Sequence, residues 1–173
     1  MAALGQAVGS GAPSSSMRDV GQADAFLIVG SNTTETHPVA SGAVLKAKYE
    51  HGARIVVIDP RRIEMVNHAD VWLRPHTGTN VALLNGLAHV IVEEGLTNPA
   101  FIASRTENFD ALRDSLKKYT PEFVSAVTGV PPERIRRAAR IYGEAARGMI
   151  LWGMGITQHV SGVDGAFSLI NLA

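Results

Sequence analysis

No cysteine occurs among the 173 residues. Disulfides, thiolate zinc centres and iron–sulfur clusters held by these residues are therefore excluded. No apolar run approaches the ~20 residues that a membrane-spanning helix requires. The opening residues also lack the basic stretch followed by an apolar core that marks a secretory leader. Net charge is absent as well: sixteen Lys and Arg offset sixteen Asp and Glu, so no global field draws the chain to nucleic acid or to an anionic membrane. Gly-x-Gly-x-x-Gly, the P-loop and Gly-x-Ser-x-Gly are all missing. These absences remove the dinucleotide fingerprint, the Walker cradle and the hydrolase elbow. The six histidines, His37, His51, His68, His76, His89 and His159, include no i, i+4 pair around an acid, which argues against a zinc site. What remains is ordinary globular material, 46% hydrophobic and 18% charged, at the length of one domain with a real core. Lack of cysteine and of a leader predicts a cytoplasmic location.

The stretch 52–62 organises the chain. A glycine is followed by Ile55-Val56-Val57-Ile58 and then by Asp59, Pro60, Arg61 and Arg62. A continuous β-branched run is the pattern of a strand buried on both faces, as in a parallel sheet covered by helices. Asp59 then stands at the strand's carboxyl end, where open α/β sheets bind ligands. Two roles stay open for it: accepting hydrogen bonds from a ribose or base, or capping the next turn. Arg61 and Arg62 follow at the same rim, and guanidinium forks suit phosphate.

Upstream, Ala25-Phe-Leu-Ile-Val29 is a second buried-strand run that ends in Gly30-Ser-Asn-Thr-Thr-Glu-Thr-His-Pro38. Pro38 suits the first turn of a helix that runs to His51 and is closed by Gly52. Together these segments form one βαβ unit with an expected right-handed crossover. Gly30, Ser31, Asn32 and Thr33 either present donors to a phosphate or form a plain strand-to-helix turn. Downstream, 63–69 predicts a short helix and 70–74 a third strand. Pro75-His-Thr-Gly-Thr-Asn80 is a turn that puts Thr79 at the N-cap of a helix with the apolar stripe Val81, Leu84, Leu87, Ala88, Ile91 and Val92, closed by Gly95. The exposed amides of Gly78 and Asn80 should point to the same rim.

From about 97 to 147 the pattern is a helical insert, with helix starts at Asn98-Pro99, Thr120-Pro121 and Pro131-Pro132. Phe101 and Ile102; Leu112, Leu116 and Tyr119; Phe123, Val124 and Val127; and Ile135, Ala138, Ala139 and Tyr142 are expected in the core. Arg134, Arg136, Arg137 and Arg140 read as a solvated or partner-facing surface. Met149-Ile-Leu-Trp152 returns to strand and leads into a loop, Gly153-Met-Gly-Ile-Thr-Gln158, whose two glycines would let backbone amides approach a flat or anionic ligand. A helix then begins near Ser161 and breaks off in mid-helix character. Both ends, including Leu4, Val8, Phe167 and Ile170, are expected to be exposed, with self-association or partial disorder. The fold expected is a three-layer, Rossmann-like α/β domain over 1–173, with a mainly parallel sheet of strands near 25–29, 55–58, 71–73 and 149–152.

Six of these stretches, in this order, resemble the molybdopterin oxidoreductases, and most of all the large subunit of formate dehydrogenase. They are Val29-Gly-Ser-Asn-Thr-Thr-Glu-Thr-His-Pro38, Val57-Ile-Asp-Pro-Arg-Arg62, Asn80-Val-Ala-Leu-Leu-Asn-Gly-Leu-Ala-His-Val-Ile91, Ile102-Ala-Ser-Arg-Thr-Glu-Asn-Phe109, Tyr119-Thr-Pro-Glu122 and Ile150-Leu-Trp-Gly-Met-Gly-Ile-Thr-Gln-His159. The resemblance runs from about 4 to 173. It implies an internal α/β domain that helps hold one half of a bis(molybdopterin guanine dinucleotide) cofactor carrying molybdenum or tungsten. The cofactor contacts it implies are Gly30, Asn32, Thr33 and His37 after the first strand, Asp59 and Arg61 after the second, Gly78 and Asn80 after the third, and Gly153, Met154, Gly155 and Gln158 after the fourth. It implies no catalytic residue and no metal ligand within these residues. The metal-ligating cysteine or selenocysteine and its histidine would lie ahead of the segment 4–11, the substrate-orienting arginine beyond the last helix, and the iron–sulfur domain elsewhere in a longer parent. The partners implied are the parent's remaining domains and electron-transfer subunits, with formate as the parent's substrate. Two other readings fit the same residues: a nitrate reductase of the same family, or a remnant domain that keeps the fold without catalysis.

Overall fold

The computed structural model describes residues 2–12 and 15–173. Its elements in chain order are α1 (Ala2–Val8), α2 (Met17–Val20), β1 (Ala25–Val29), α3 (Thr33–Thr36), α4 (Pro38–His51), β2 (Arg54–Ile58), a 3-10 turn (Glu64–His68) and β3 (Val71–Leu73). The second half adds α5 (Asn80–Glu93), α6 (Pro99–Arg105), α7 (Phe109–Leu116), α8 (Pro121–Thr128), α9 (Pro132–Gly143), β4 (Gly148–Trp152), α10 (Met154–Thr157) and α11 (Gly162–Leu172). The four strands form one sheet in the order β3-β2-β1-β4. Every pairing is parallel, with Phe26 opposite Ile55 and Met149, and Val57 opposite Trp72.

The sheet is covered on both faces because its strands are apolar on both. Leu27, Val29, Val56, Ile58, Val71 and Leu73 face one core with Leu84 and Leu87 of α5, Val124 of α8, Ile135 of α9 and Leu169 of α11. Phe26, Ile28, Ile55 and Val57 face a second core with Val20, Val44, Ala47 and Met65. This is the expected three-layer arrangement, with a wholly parallel sheet. Pro38 opens α4, and Gly52 closes it in the left-handed region at φ 75°, a conformation for which glycine has no steric cost. Asn98 and Thr120 accept hydrogen bonds from the amides of Phe101 and Phe123, as N-caps do.

Several expectations are corrected. Thr79 is the N-cap residue of α5 as expected, with the difference that its hydroxyl donates backwards to the His76 carbonyl at 2.7 Å and caps no helix amide. The buried face of α5 is wider than the stripe and takes in Leu83, Gly86 and Val90, because α8, α9 and α11 all pack on this helix. A Cβ on Gly86 would lie 2.8 Å from Val124. Phe101, Phe123 and Val127 are not core: they are 53%, 47% and 37% exposed, since α6 buries no residue and α8 is inserted only through its Val124 side. The segment after β4 is a turn of helix rather than an open loop. Nor are the two chain ends bare. α1 packs on α11, Ala3 is buried, and Leu4, Phe167 and Ile170 are half-buried, so of the four residues expected on the surface Val8 alone is exposed.

The amino edge of the sheet is tied by Asp70, which precedes β3. Its carboxylate accepts from the Ile55 amide at 2.7 Å, from Lys48 Nζ of α4 at 2.9 Å and from Arg54 Nε at 3.0 Å. Burial works against its ionisation, but the amide and the two cations outweigh burial and hold the carboxyl below the ordinary carboxylate range. A depressed folded pKa means that the stabilisation is fully present above the unfolded value of about 4 and is lost as pH falls through the folded one. Asp70→Ala should therefore lower unfolding free energy at neutral pH by about 1–3 kcal/mol, with Asp70→Asn intermediate. Urea unfolding across pH should show the wild type losing its advantage over Asp70→Asn in the acid range.

Candidate functional site at the carboxyl rim of the sheet

All four strands deliver their carboxyl ends to one rim. The residues that follow them are Arg74 after β3, Asp59 after β2, Gly30 after β1 and Gly153 after β4, in that spatial order. The chain leaves β1 towards β2 and β3 on one side, while β4 joins β1 on the other. A parallel sheet opens a crevice where its strand order reverses in this way.

Between β1 and β4 that crevice is floored by backbone. Gly30 has φ 55°, and a Cβ there would lie 2.7 Å from the Gly155 carbonyl carbon. Reciprocally, a Cβ on Gly155 would lie 2.7 Å from Gly30 Cα, and one on Gly153 would lie 2.9 Å from the Gly30 oxygen. The Gly155 amide donates to the Gly30 carbonyl at 3.0 Å, Gly153 donates to Val29 at 3.2 Å, and Gly30 donates to Ile58 at 2.9 Å. The expected reason for these glycines is thereby corrected. They let two loops touch each other, and the Gly155 amide is consumed within the chain instead of being offered to a ligand. Asn80, the first residue of α5, brings Nδ2 to 3.5 Å from the Gly155 carbonyl, which joins the third strand's turn to the same floor.

Ser31 and Thr33 are buried beside this floor, at 7% and 4% exposure. Thr33 Oγ1 has no hydrogen-bond partner among the described residues. A buried, unpaired hydroxyl costs about 1–3 kcal/mol, so this atom suits a group supplied from outside. Asn32 accepts from the Thr34 hydroxyl at 3.2 Å. His37 is exposed, with Nδ1 2.8 Å from the Thr36 hydroxyl. Gly78 is exposed at φ 88° with open space where a Cβ would stand. Met154, at 65% exposure, and Gln158 are exposed on and just after α10.

At the β2 end, Asp59 Oδ1 accepts from the Arg61 amide at 2.8 Å, so the turn-capping role is filled by one oxygen. Its second oxygen has no hydrogen bond among the described residues, and the residue is half-buried. The side chains of Arg61, Arg62 and Arg74, with Pro60 and Trp72, line an open cleft. Trp72 and Arg74 escaped sequence reasoning because they sit in a segment read only as a strand. Trp72 turns away from the face of Val71 and Leu73, and its indole N–H donates to the Asp59 carbonyl at 2.9 Å. A tryptophan and an arginine two residues apart at a strand's carboxyl end were the available signal. Among the described residues, no group of three or more His, Asp or Glu side chains could hold a metal ion.

The family described as Molybdopterin oxidoreductase matches residues 2–173. The F420-dependent formate dehydrogenase subunit alpha of Methanocaldococcus jannaschii is 47% identical over 165 residues, covering 95% of this chain and 24% of that protein. Formate dehydrogenase H of Escherichia coli is 44% identical over 173 residues, covering all of this chain and 24% of that protein. Nitrate reductases match at lower identity. The chain thus spans about a quarter of the length of the curated relatives it matches. Among solved structures, acetylene hydratase from Pelobacter acetylenicus shares the fold, with a TM-score of 0.78 at 24% identity over 98% of this chain and 24% of that one.

The glycine floor is directly testable. Gly155→Ala drives a methyl into backbone that cannot rotate away, and should cost about 2–3 kcal/mol. Gly42→Ala, within α4 and with nothing within 4 Å, should instead stabilise by about 0.5–1 kcal/mol. Thermal and urea unfolding of the two variants check the contrast.

Proposed function

The chain belongs to the molybdopterin oxidoreductase family, and from that premise we propose that it is the part of a formate dehydrogenase α subunit that holds one nucleotide half of a bis(molybdopterin guanine dinucleotide) cofactor. The observation that carries this reading is the convergence of four strand-end loops on one rim around a floor made of Gly30, Gly153 and Gly155. The residues suit such a group. Thr33 offers a buried hydroxyl without a partner, Asp59 offers an unengaged carboxylate oxygen for the N–H edge of guanine, and Arg61 offers a guanidinium for phosphate. Asn32, His37, Gly78, Asn80, Met154 and Gln158 complete the wall, while Gly30, Gly153 and Gly155 act by shaping the loops. When bound, the cofactor's molybdenum or tungsten supplies the two-electron redox chemistry that a protein side chain lacks.

On this reading the chain binds and orients, and it does not catalyse by itself. It has no cysteine to place a thiolate on a metal, and formate oxidation, the iron–sulfur relay and electron-transfer partners belong to other parts of a longer, cytoplasmic polypeptide. Formate is preferred to nitrate as the parent's substrate because the formate dehydrogenases share the higher identity. Among the described residues, no helix is long and apolar enough to cross a membrane.

Guanine selectivity tests the assignment. GMP should bind this chain more tightly than AMP by calorimetry, and equal or tighter AMP binding would sink it. In the longer polypeptide, Asp59→Asn should lower metal content while each metal-loaded molecule keeps nearly its normal turnover with formate. Full metal loading with lost turnover would instead make Asp59 catalytic.

A further inference from the structure

The cleft at the β2–β3 end of the rim carries more than the cofactor reading uses. Four arginines surround Trp72. Arg74 donates through Nε to the Pro60 carbonyl at 3.1 Å, and its guanidinium lies 5.9 Å from the Trp72 ring centroid, within the range of a cation–π contact. Arg62 donates to the Asn67 side-chain oxygen at 3.2 Å. Arg134, from α9, reaches the Trp72 carbonyl at 3.5 Å. The Arg61 amide is fixed by Asp59, while its side chain is exposed.

None of these four guanidiniums pairs with a carboxylate among the described residues. Arg54, Arg113, Arg136, Arg140 and Arg147 do so, with Asp70, Asp110, Glu122, Glu94 and Asp24. In a chain with no net charge, like charges are thus gathered at one place: Arg62, Arg74 and Arg134 are held by neutral acceptors, and Asp59 beside them accepts from the Arg61 amide and not from a guanidinium. Their mutual repulsion is a cost that an anion would remove.

We infer that this cleft is a binding site for a phosphate group, with Arg62 and Arg74 as its principal ligands. The donor set is the reason. The Trp72 indole N–H is already spent on the Asp59 carbonyl, so the side-chain donors that the cleft can turn to a ligand are those of the guanidiniums. That set suits a compact ligand with acceptor oxygens and two negative charges. The cleft is lined by five residues from two adjacent stretches, Pro60 to Arg62 in one and Trp72 and Arg74 in the other. It offers no run of paired donors and acceptors for an extended acidic peptide. The phosphate can come from a nucleotide whose base reaches Asp59 or from a separate phosphate compound, and the two sources are separable by competition.

The test is titration of the 173-residue chain with inorganic pyrophosphate, read by calorimetry and by the Trp72 indole resonance. Pyrophosphate should bind. Arg62→Ala and Arg74→Ala should each weaken it by about tenfold or more, Arg74→Lys should recover part of the loss, and Arg137→Ala, an exposed control outside the cleft, should change nothing. Circular dichroism of each variant separates lost binding from lost fold. No binding at millimolar pyrophosphate overturns the inference, as does unchanged binding by folded Arg62→Ala and Arg74→Ala. Tighter binding of polyglutamate than of pyrophosphate also overturns it and makes the cleft a protein-docking surface. GMP competing with pyrophosphate assigns the phosphate to the nucleotide, and simultaneous binding assigns it to a separate compound; either supports a phosphate site. Pyrophosphate binding that persists when GMP fails to bind would remove the guanine reading and leave this one standing.

Discussion

The contact on which the rest of the rim depends is backbone against backbone, Gly30 on Gly155. β1 and β4 are neighbours in the sheet but lie more than a hundred residues apart in the chain. Their following loops must share the space above one strand spacing. With a side chain at either position, the ideal Cβ falls within 2.7 Å of the opposing backbone, and the loops would have to separate. Because they touch, the Gly155 amide can reach the Gly30 carbonyl, α10 can start directly after the strand, and Asn80 can close over the same carbonyl. For that reason the floor of the crevice is main chain, held by hydrogen bonds between the two loops.

Charge is divided between the two ends of the sheet. At the amino end, Asp70 gathers two cations and an amide, and stability is the result. At the carboxyl end, guanidiniums gather beside Asp59 without forming an ion pair among the described residues. An ion pair neutralises its own field, whereas unpaired cations held by neutral acceptors keep theirs. The separation places the structural electrostatics away from the rim and leaves positive potential at the place where an anionic group would arrive.

Much of this was legible before any coordinates. Two-sided apolar runs such as Phe26-Leu-Ile-Val29 and Ile55-Val-Val-Ile58 can be satisfied only between two helical layers, and so the three-layer sheet followed from residue type. Pro38 and Gly52 bracket α4 through restrictions that belong to those residues alone. Exposure of Phe101, Phe123 and Val127 was not legible, because an apolar stripe states what could be buried and says nothing of whether a neighbour reaches it. Packing of α1 on α11 was hidden for the same reason, since it joins the two ends of the chain.

At the rim, residue chemistry alone determined which groups are present: an acid, glycines, amides and guanidiniums at strand ends. It could not assign their partners. Whether Gly155 opens a path for a ligand or closes against Gly30, whether Asp59 spends one oxygen on its own turn, and whether Trp72 lies inside the sheet or under Arg74 were decided by tertiary structure. Each of those outcomes depends on atoms far away in sequence being brought within a few ångströms. Local propensity carries no information about distances of that kind until the sheet order and register are set.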